Sequence, residues 1–440
     1  MEFLDTILFA ILLFLGFGFF AINVKKIVRN IKLGQDVNRF DNPSSRWRNM
    51  AMIALGQQKM IKKPVMGILH IIVYVGFVII NIELLEIVID GLFGTHRIFA
   101  FLPFYNFLIA SFEILAFLVL VAVIIFWSRR NVLKLKRFIS SDLNNWPRSD
   151  ANYILYFEVV LMTLFLLMNA SDLHLQNAHF SHYHEAGYFP VSHYLTSIFD
   201  GMALQNVALF ERVVWWLHIT GILIFANYLY FSKHLHILLA FPNTYFADLN
   251  VEGKFNNLES VTKEVKLMMD PTADPFAAPT TDSDAAPTKF GAADVQDLNW
   301  VQLLNAYTCT ECGRCTDACP ANLTGKKLSP RKIMMQTRDR LEEVGKNIDK
   351  NKGVFIPDNK TLLNDYITTE ELWACTSCNA CVEECPVNIS PLSIILDMRR
   401  YLVMEQSAAP MSLNAMMANI ENNGAPWQYN QQDRLNWATE

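Results

Sequence analysis

The residues best equipped for chemistry are the eight cysteines, all between Cys309 and Cys385. They form two runs of one pattern: Cys309, Cys312, Cys315 and Cys319 ahead of Pro320, then Cys375, Cys378, Cys381 and Cys385 ahead of Pro386. Each reads C-x2-C-x2-C-x3-C-P. That spacing wraps three thiolates around one [4Fe–4S] cubane while the fourth turns away to a second. The expected ligand sets are therefore Cys309, Cys312, Cys315 and Cys385 for one cluster, and Cys375, Cys378, Cys381 and Cys319 for the other. Zinc also takes C-x2-C pairs, but the doubled four-cysteine run ending in proline favours iron. Iron-ligating thiolates need a reducing compartment, which points to the cytoplasm.

Helices are expected to hold these motifs. In the segment between them, Ser329–Val344 has helical periodicity, with Ser329 as N-cap and Pro330 in the first helical position. Thr369-Glu370-Glu371 opens a second helix leading into Cys375. The expected architecture is all-α: a five-helix transmembrane bundle (1–245), a linker (246–297), an α-helical dicluster ferredoxin domain (298–405) and a partner-docking tail (406–440). Within the linker, Leu249–Met269 is polar and has room for a short helix. Asp270–Asp294 is rich in Ala, Pro, Thr and Asp, cannot bury a core, and is expected to be a flexible tether.

Ahead of residue 242 the chain is strongly apolar, and this half carries most of the 52% hydrophobic content. Runs long enough to cross a bilayer occur at Thr6–Val24, Pro64–Ile82, Ile98–Ser128, Ala151–Ser171 and Val207–Ser232. The acidic start, Met1-Glu2-Phe3-Leu4-Asp5, is unlike a secretory signal. Segment 25–63 holds ten Lys and Arg and segment 129–150 six, whereas 89–97 holds only Arg97 and 172–206 none. The positive-inside rule then places the N-terminus outside and the cysteine domain on the cytoplasmic side of the inner membrane. A net charge of −5 and the absence of a basic, aromatic-laced stripe argue against nucleic-acid binding.

Two histidines fall inside apolar runs: His70 in the second and His218 in the fifth. An imidazole there is costly unless bonded or ligating, and two on separate helices suit bis-imidazole haem b. His236 follows His218 by 18 residues, five helical turns or roughly 27 Å, so it would share a face if the helix continued that far. It is the candidate for a second haem, although Met60 stands where its partner would be. The outer loop carries His174, His179, His182, His184 and His193, read as solvated or as lining a quinol pocket that releases protons outside. Glu113, within the third run, is a further candidate for proton handling; the alternative is a carboxyl bonded inside the bundle.

The doubled cysteine motif with a helical insert resembles the dicluster subunit of heterodisulfide reductases and the iron–sulfur subunit of succinate dehydrogenase. The apolar half resembles the cytochrome b subunit of respiratory nitrate reductase, with His in helix two and two His eighteen apart around the end of helix five. Their fusion resembles membrane-bound Fe–S oxidoreductases related to heterodisulfide reductase. That resemblance implies two [4Fe–4S] clusters, haem b and an exchangeable quinone or quinol. Many relatives continue into cysteine-rich CCG domains, but no Cys-Cys pair occurs here. A separate cytoplasmic CCG-domain or flavoprotein subunit is therefore the expected partner, beside the lipid bilayer itself. No Gly-rich dinucleotide fingerprint is present, so NAD or FAD would bind elsewhere. The expected role is an electron-transfer subunit between the quinone pool and a cytoplasmic redox partner; the competing role is a membrane-tethered Fe–S sensor or scaffold without turnover.

Overall fold

The computed structural model describes residues 2–250, 253–272 and 289–439. Among these, every regular element is a helix. Five are long and apolar enough to cross a membrane: Leu4–Ile31, Pro64–Phe93, Tyr105–Asn131, Trp146–Asn177 and Leu204–Phe231. The first two are apolar all round, and little of either is buried within the protein. Side chains such as Phe14, Phe107 and Leu209 stay exposed. That pattern suits a hydrocarbon surround rather than water. At Gly76 an added Cβ would lie 2.5 Å from Val119, so the glycine lets the second and third spans approach closely.

The observed spans differ from the sequence expectation at most of their ends, and three of the differences bear on the site. The third span begins at Tyr105, not Ile98, because Leu102 before Pro103 is forced into an extended conformation. The second continues to Phe93, which brings Glu83 and Glu86 inside the bundle. The fifth is α-helical only to Tyr228; a short 3-10 turn follows and Ser232 is extended (φ −114°, ψ 146°). His236 starts a separate helix, His236–Tyr245. The condition for His218 and His236 to share one helix face is not met, and the 27 Å spacing does not apply.

In the cysteine domain a helix ends immediately before each motif, at Thr308 and at Ala374. Their starts carry reciprocal caps, Asn299 with Gln302 and Thr368 with Glu371. Ser329 caps Pro330–Lys350 by accepting from the Lys332 backbone N–H. A short helix, Glu259–Met269, stands in the polar connecting segment, while most of the tether expected at 270–294 lies outside the described residues. One buried apolar core runs from Phe9 in the first span to Met398 in the cysteine domain, so the two halves pack as one body.

The contact between them is polar at its rim. Arg331, at 1% exposure, donates to both Asp142 carboxylate oxygens (3.0 and 2.6 Å), to the Arg137 carbonyl (2.8 Å) and to Ser140. Arg29 pairs with Asp349, and Lys59 and Lys62 pair with Glu383. Asn30 donates to the Tyr307 hydroxyl (2.8 Å), and Lys63 pairs with Glu384 (3.2 Å). Several cations from the basic loops are thus docking contacts to an acidic surface as well as a topology signal.

Candidate redox site

The two motifs repeat backbone as well as sequence. Glu311 and Gly313 follow Cys309 by two and four residues and have positive φ; Ser377 and Asn379 stand at the same offsets from Cys375, also with positive φ. Such turns aim successive N–H groups at one point, a concavity suited to an anionic cluster. The Ser377 N–H reaches Cys375 Sγ at 3.4 Å, and the Ile389 N–H reaches Cys385 Sγ at 3.3 Å. Hydrogen bonds to the sulfurs tune the potential of a cluster held there.

Cys309, Cys312, Cys315 and Cys385 line one recess, with Arg331, Met334, Ile389 and, from the other set, Cys381 beside them. Each lies within electrostatic reach of others in that set. Cys375, Cys378, Cys381 and Cys319 are mutual neighbours in the same sense. Cys381 also reaches Cys315, so the two sets adjoin. No three His, Cys, Asp or Glu among the described residues converge tightly enough to share a single metal ion. Burial pushes the thiols of Cys309 and Cys381 up to about 12 and that of Cys385 to about 11. Ligation displaces such protons, so assembly of a cluster releases them. Arg137 faces Cys312, Lys59 faces Cys385, and Arg399 faces Cys375 while donating to the Leu372 and Cys375 carbonyls. These cations oppose the negative charge of thiolate-bound iron.

A cavity of about 590 Å3 opens at Cys312 and Pro386 and rises among the second, third, fourth and fifth spans to Glu83 and Ile87. Its volume is in the range of small-molecule and cofactor sites. His70, His218, His234 and His236 all line it. His70 and His236 are within electrostatic reach of one another, and His234 is close to both. The His234 and His236 rings sit 5.3 Å apart, edge to face. His236 Nδ1 bonds the Lys233 carbonyl at 3.1 Å, which leaves Nε2 available. His70 Nδ1 is buried without a partner. His218 stands apart from these three, beside Phe165 and bonded to the Leu161 backbone, with its own Nδ1 unpartnered. Helix direction explains the grouping: His70 lies near the start of the second span at the cysteine-domain end, whereas His218 lies midway along the fifth.

Lys233 ties this region to the first motif. Its ammonium meets Glu311 and the Pro147 carbonyl, and Arg338 pairs with Glu311 at 2.8 Å. Burial alone would raise the Glu311 carboxyl, but Lys233 and Arg338 hold it below the usual range.

At the far end of the bundle lies a buried polar layer that the sequence reading missed. Arg97, in a left-handed turn, donates to Glu83 Oε1 (3.0 Å), Asp172 Oδ2 (3.0 Å) and Asn169 Oδ1 (2.7 Å). Asp172 Oδ1 faces His96 Nε2 at 3.1 Å and accepts from Gln176 at 3.2 Å. Glu86 accepts from Tyr105 and the Phe99 N–H. Glu113 is bonded to Asn169 and to the Val191 and Ser192 N–H groups, so it anchors the loop between the fourth and fifth spans. The signal was the carboxylate pair Glu83 and Glu86, passed over because the second span was ended at Ile82. Of the loop histidines, His182 stacks on Tyr183 at 4.4 Å and meets the His96 ring at 5.9 Å. His174 packs on Phe199 and His193 against Tyr194.

Residues 308–389 match the family described as "4Fe-4S dicluster domain". Over 99% of its length the chain is 29% identical to a probable iron-sulfur-binding oxidoreductase, FadF, of Bacillus subtilis, covering 61% of that protein. It is 25% identical, over 92% of the chain, to the EtfAB:quinone oxidoreductase of Syntrophomonas wolfei, covering 55% of it. A probable membrane-anchored ferredoxin of Chromohalobacter salexigens is 33% identical over 36% of the chain and 26% of its own length. The chain thus spans less than two thirds of these relatives, and no solved structure matches it. With five membrane-length helices packed on a 4Fe–4S dicluster domain, the chain is similar to iron–sulfur oxidoreductases and to a membrane-anchored ferredoxin.

Proposed function

We propose that this chain carries electrons between a membrane quinone and a redox partner docked on its iron–sulfur domain, by way of haem b and two [4Fe–4S] clusters. The observation that carries this reading is the single cavity joining Cys312 to the histidine group and on to Glu83. Cys309, Cys312, Cys315 and Cys385 would hold one cluster, and Cys375, Cys378, Cys381 and Cys319 the other. His70 and His236 are the proposed haem ligands, in place of His70 with His218. Their mutual proximity supports this, as does the Lys233 carbonyl that orients the His236 ring. His218, unpartnered at Nδ1 on the same cavity, takes over from His236 as the candidate for a second haem. When bound, these groups supply one-electron carriers; the chain supplies the largely apolar cavity and the cations beside the thiolates.

The name of the Syntrophomonas relative supports quinone as one exchange partner. A separate CCG-domain or flavoprotein subunit on the cytoplasmic face is the proposed other, meeting the dicluster domain (298–405) and the tail (406–440). Exposed apolar side chains along that tail, Met411, Ile420, Trp427 and Trp437, favour a docking role. The proposed orientation in the inner membrane, with the N-terminus outside, rests on the Lys and Arg excess of segments 25–63 and 129–150. Adding quinol to isolated membranes tests the function: a b-type band and bleached cluster absorption are expected, and neither appears if the protein is only a scaffold.

A further inference from the structure

We propose that Glu83 is the proton-exchanging carboxylate of a quinone-head site at the cavity end remote from the iron–sulfur domain, and that Arg97, Asp172 and His96 connect it to the outer face. This rests on the quinone reading above. Four carboxylates crowd that end from three spans: Glu83 and Glu86 from the second, Glu113 from the third and Asp172 from the fourth. Their hydrogen bonds separate them. Glu86 is bonded to Tyr105 and Phe99, Glu113 to Asn169, Val191 and Ser192, and both oxygens of Asp172 are engaged. Glu83 differs. At 1% exposure its Oε1 accepts from Arg97, yet Oε2 has no partner and the side chain lines the cavity. An unpaired oxygen of a buried carboxylate costs free energy unless a ligand uses it.

Quinol oxidation supplies a use. Two electrons leave the quinol for the carriers on the iron–sulfur side, the O–H bonds break, and two protons need an acceptor within hydrogen-bond reach. Glu83 Oε2 takes the first, hands it on toward Asp172 and His96 and so becomes free to take the second; quinone reduction runs the same transfers in reverse. Arg97 cannot give up its own proton. Its charge opposes the cost that burial places on an ionised Glu83, and it holds on to Asp172 and Asn169 when Glu83 becomes neutral. Asp172 in turn bonds His96, the outermost member, whose ring touches His182 and Tyr183 of the outer loop. Protons thus exchange at one end of the bundle and electrons at the other.

The test uses the full cofactor-loaded chain in lipid nanodiscs with a water-soluble naphthoquinol. Glu83→Gln should slow cluster reduction by quinol by about 100-fold or more, while dithionite still reduces the same amount of iron. Fluorescence-quenching titrations with a hydroxyquinoline N-oxide should lose their wild-type pH dependence in this variant, and Glu83→Asp should restore part of it. His96→Gln, at the margin of the layer, should bind the N-oxide normally but change the pH profile of the rate. Glu83→Gln at the wild-type rate with wild-type pH dependence overturns the proposal. If that variant does not assemble, an unchanged pH profile in His96→Gln overturns it. Wild-type clusters that respond to dithionite but not to quinol refute the quinone reading itself, and the Glu83 proposal falls with it.

Discussion

Arg331→Met asks how firmly the iron–sulfur domain is seated on the bundle. The guanidinium is 1% exposed and its partner carboxylate, Asp142, 8%. Methionine keeps much of the volume but leaves Asp142 buried with only the Ser140 and Ser329 hydroxyls. Stranding one member of a buried ion pair costs about 3–5 kcal/mol, which shifts the seating equilibrium about 100- to 4,000-fold. The double variant Asp142→Asn/Arg331→Met removes the stranded charge and should recover most of that loss. Hydrogen exchange at the amides of 136–143 and 330–338 measures both. Wild-type protection in Arg331→Met refutes the reasoning, as does a double variant whose loss equals the sum of the singles. The pair also sets a pH response. Burial would raise the Asp142 carboxyl, but bonds from Arg331, Ser140 and Ser329 hold it below its ordinary value of 3.8. A folded value below the unfolded one stabilises the contact above the unfolded value, and the gain fades as pH falls through the folded value. Asp142→Asn should abolish that acid-dependent loosening.

Exchange of the fourth ligand between motifs predicts that Cys319→Ser perturbs the cluster of Cys375, Cys378 and Cys381, and Cys385→Ser the cluster of Cys309, Cys312 and Cys315. Electron paramagnetic resonance of each variant, with iron falling by about half where a cluster is lost, distinguishes this from loss within each variant's own motif. For the haem, His70→Ala and His236→Ala should each remove the b-type band, whereas His218→Ala should retain it. Redox difference spectra of the three variants decide, and a band lost only with His70 and His218 restores the pairing expected from sequence.

The cysteine spacing made the dicluster domain legible because four thiolates at fixed offsets leave little freedom, and the repeated positive φ at 311 and 313 and at 377 and 379 is the backbone form of that constraint. Helix periodicity and caps placed a helix capped by Ser329 and running to Val344 where Pro330–Lys350 is observed. The histidine grouping was less legible, since it depends on where the fifth span breaks. Ser232 is extended, and no proline or glycine between Tyr228 and Leu235 announces it. Glu83 and Arg97 were passed over for another reason. Arg97 takes its meaning from Asn169 and Asp172, 72 and 75 residues away, and Glu83 takes its own through Arg97, pairings that hydropathy cannot see.

The central claim is that quinone, haem and clusters form one electron path. Rapid mixing of the purified, oxidised protein with naphthoquinol, followed by visible and paramagnetic resonance spectra, tests it most directly. The account predicts a b-type band together with the signal of reduced, mutually interacting [4Fe–4S] clusters. Clusters that dithionite reduces and quinol does not, in a protein without a b-type band, would contradict it.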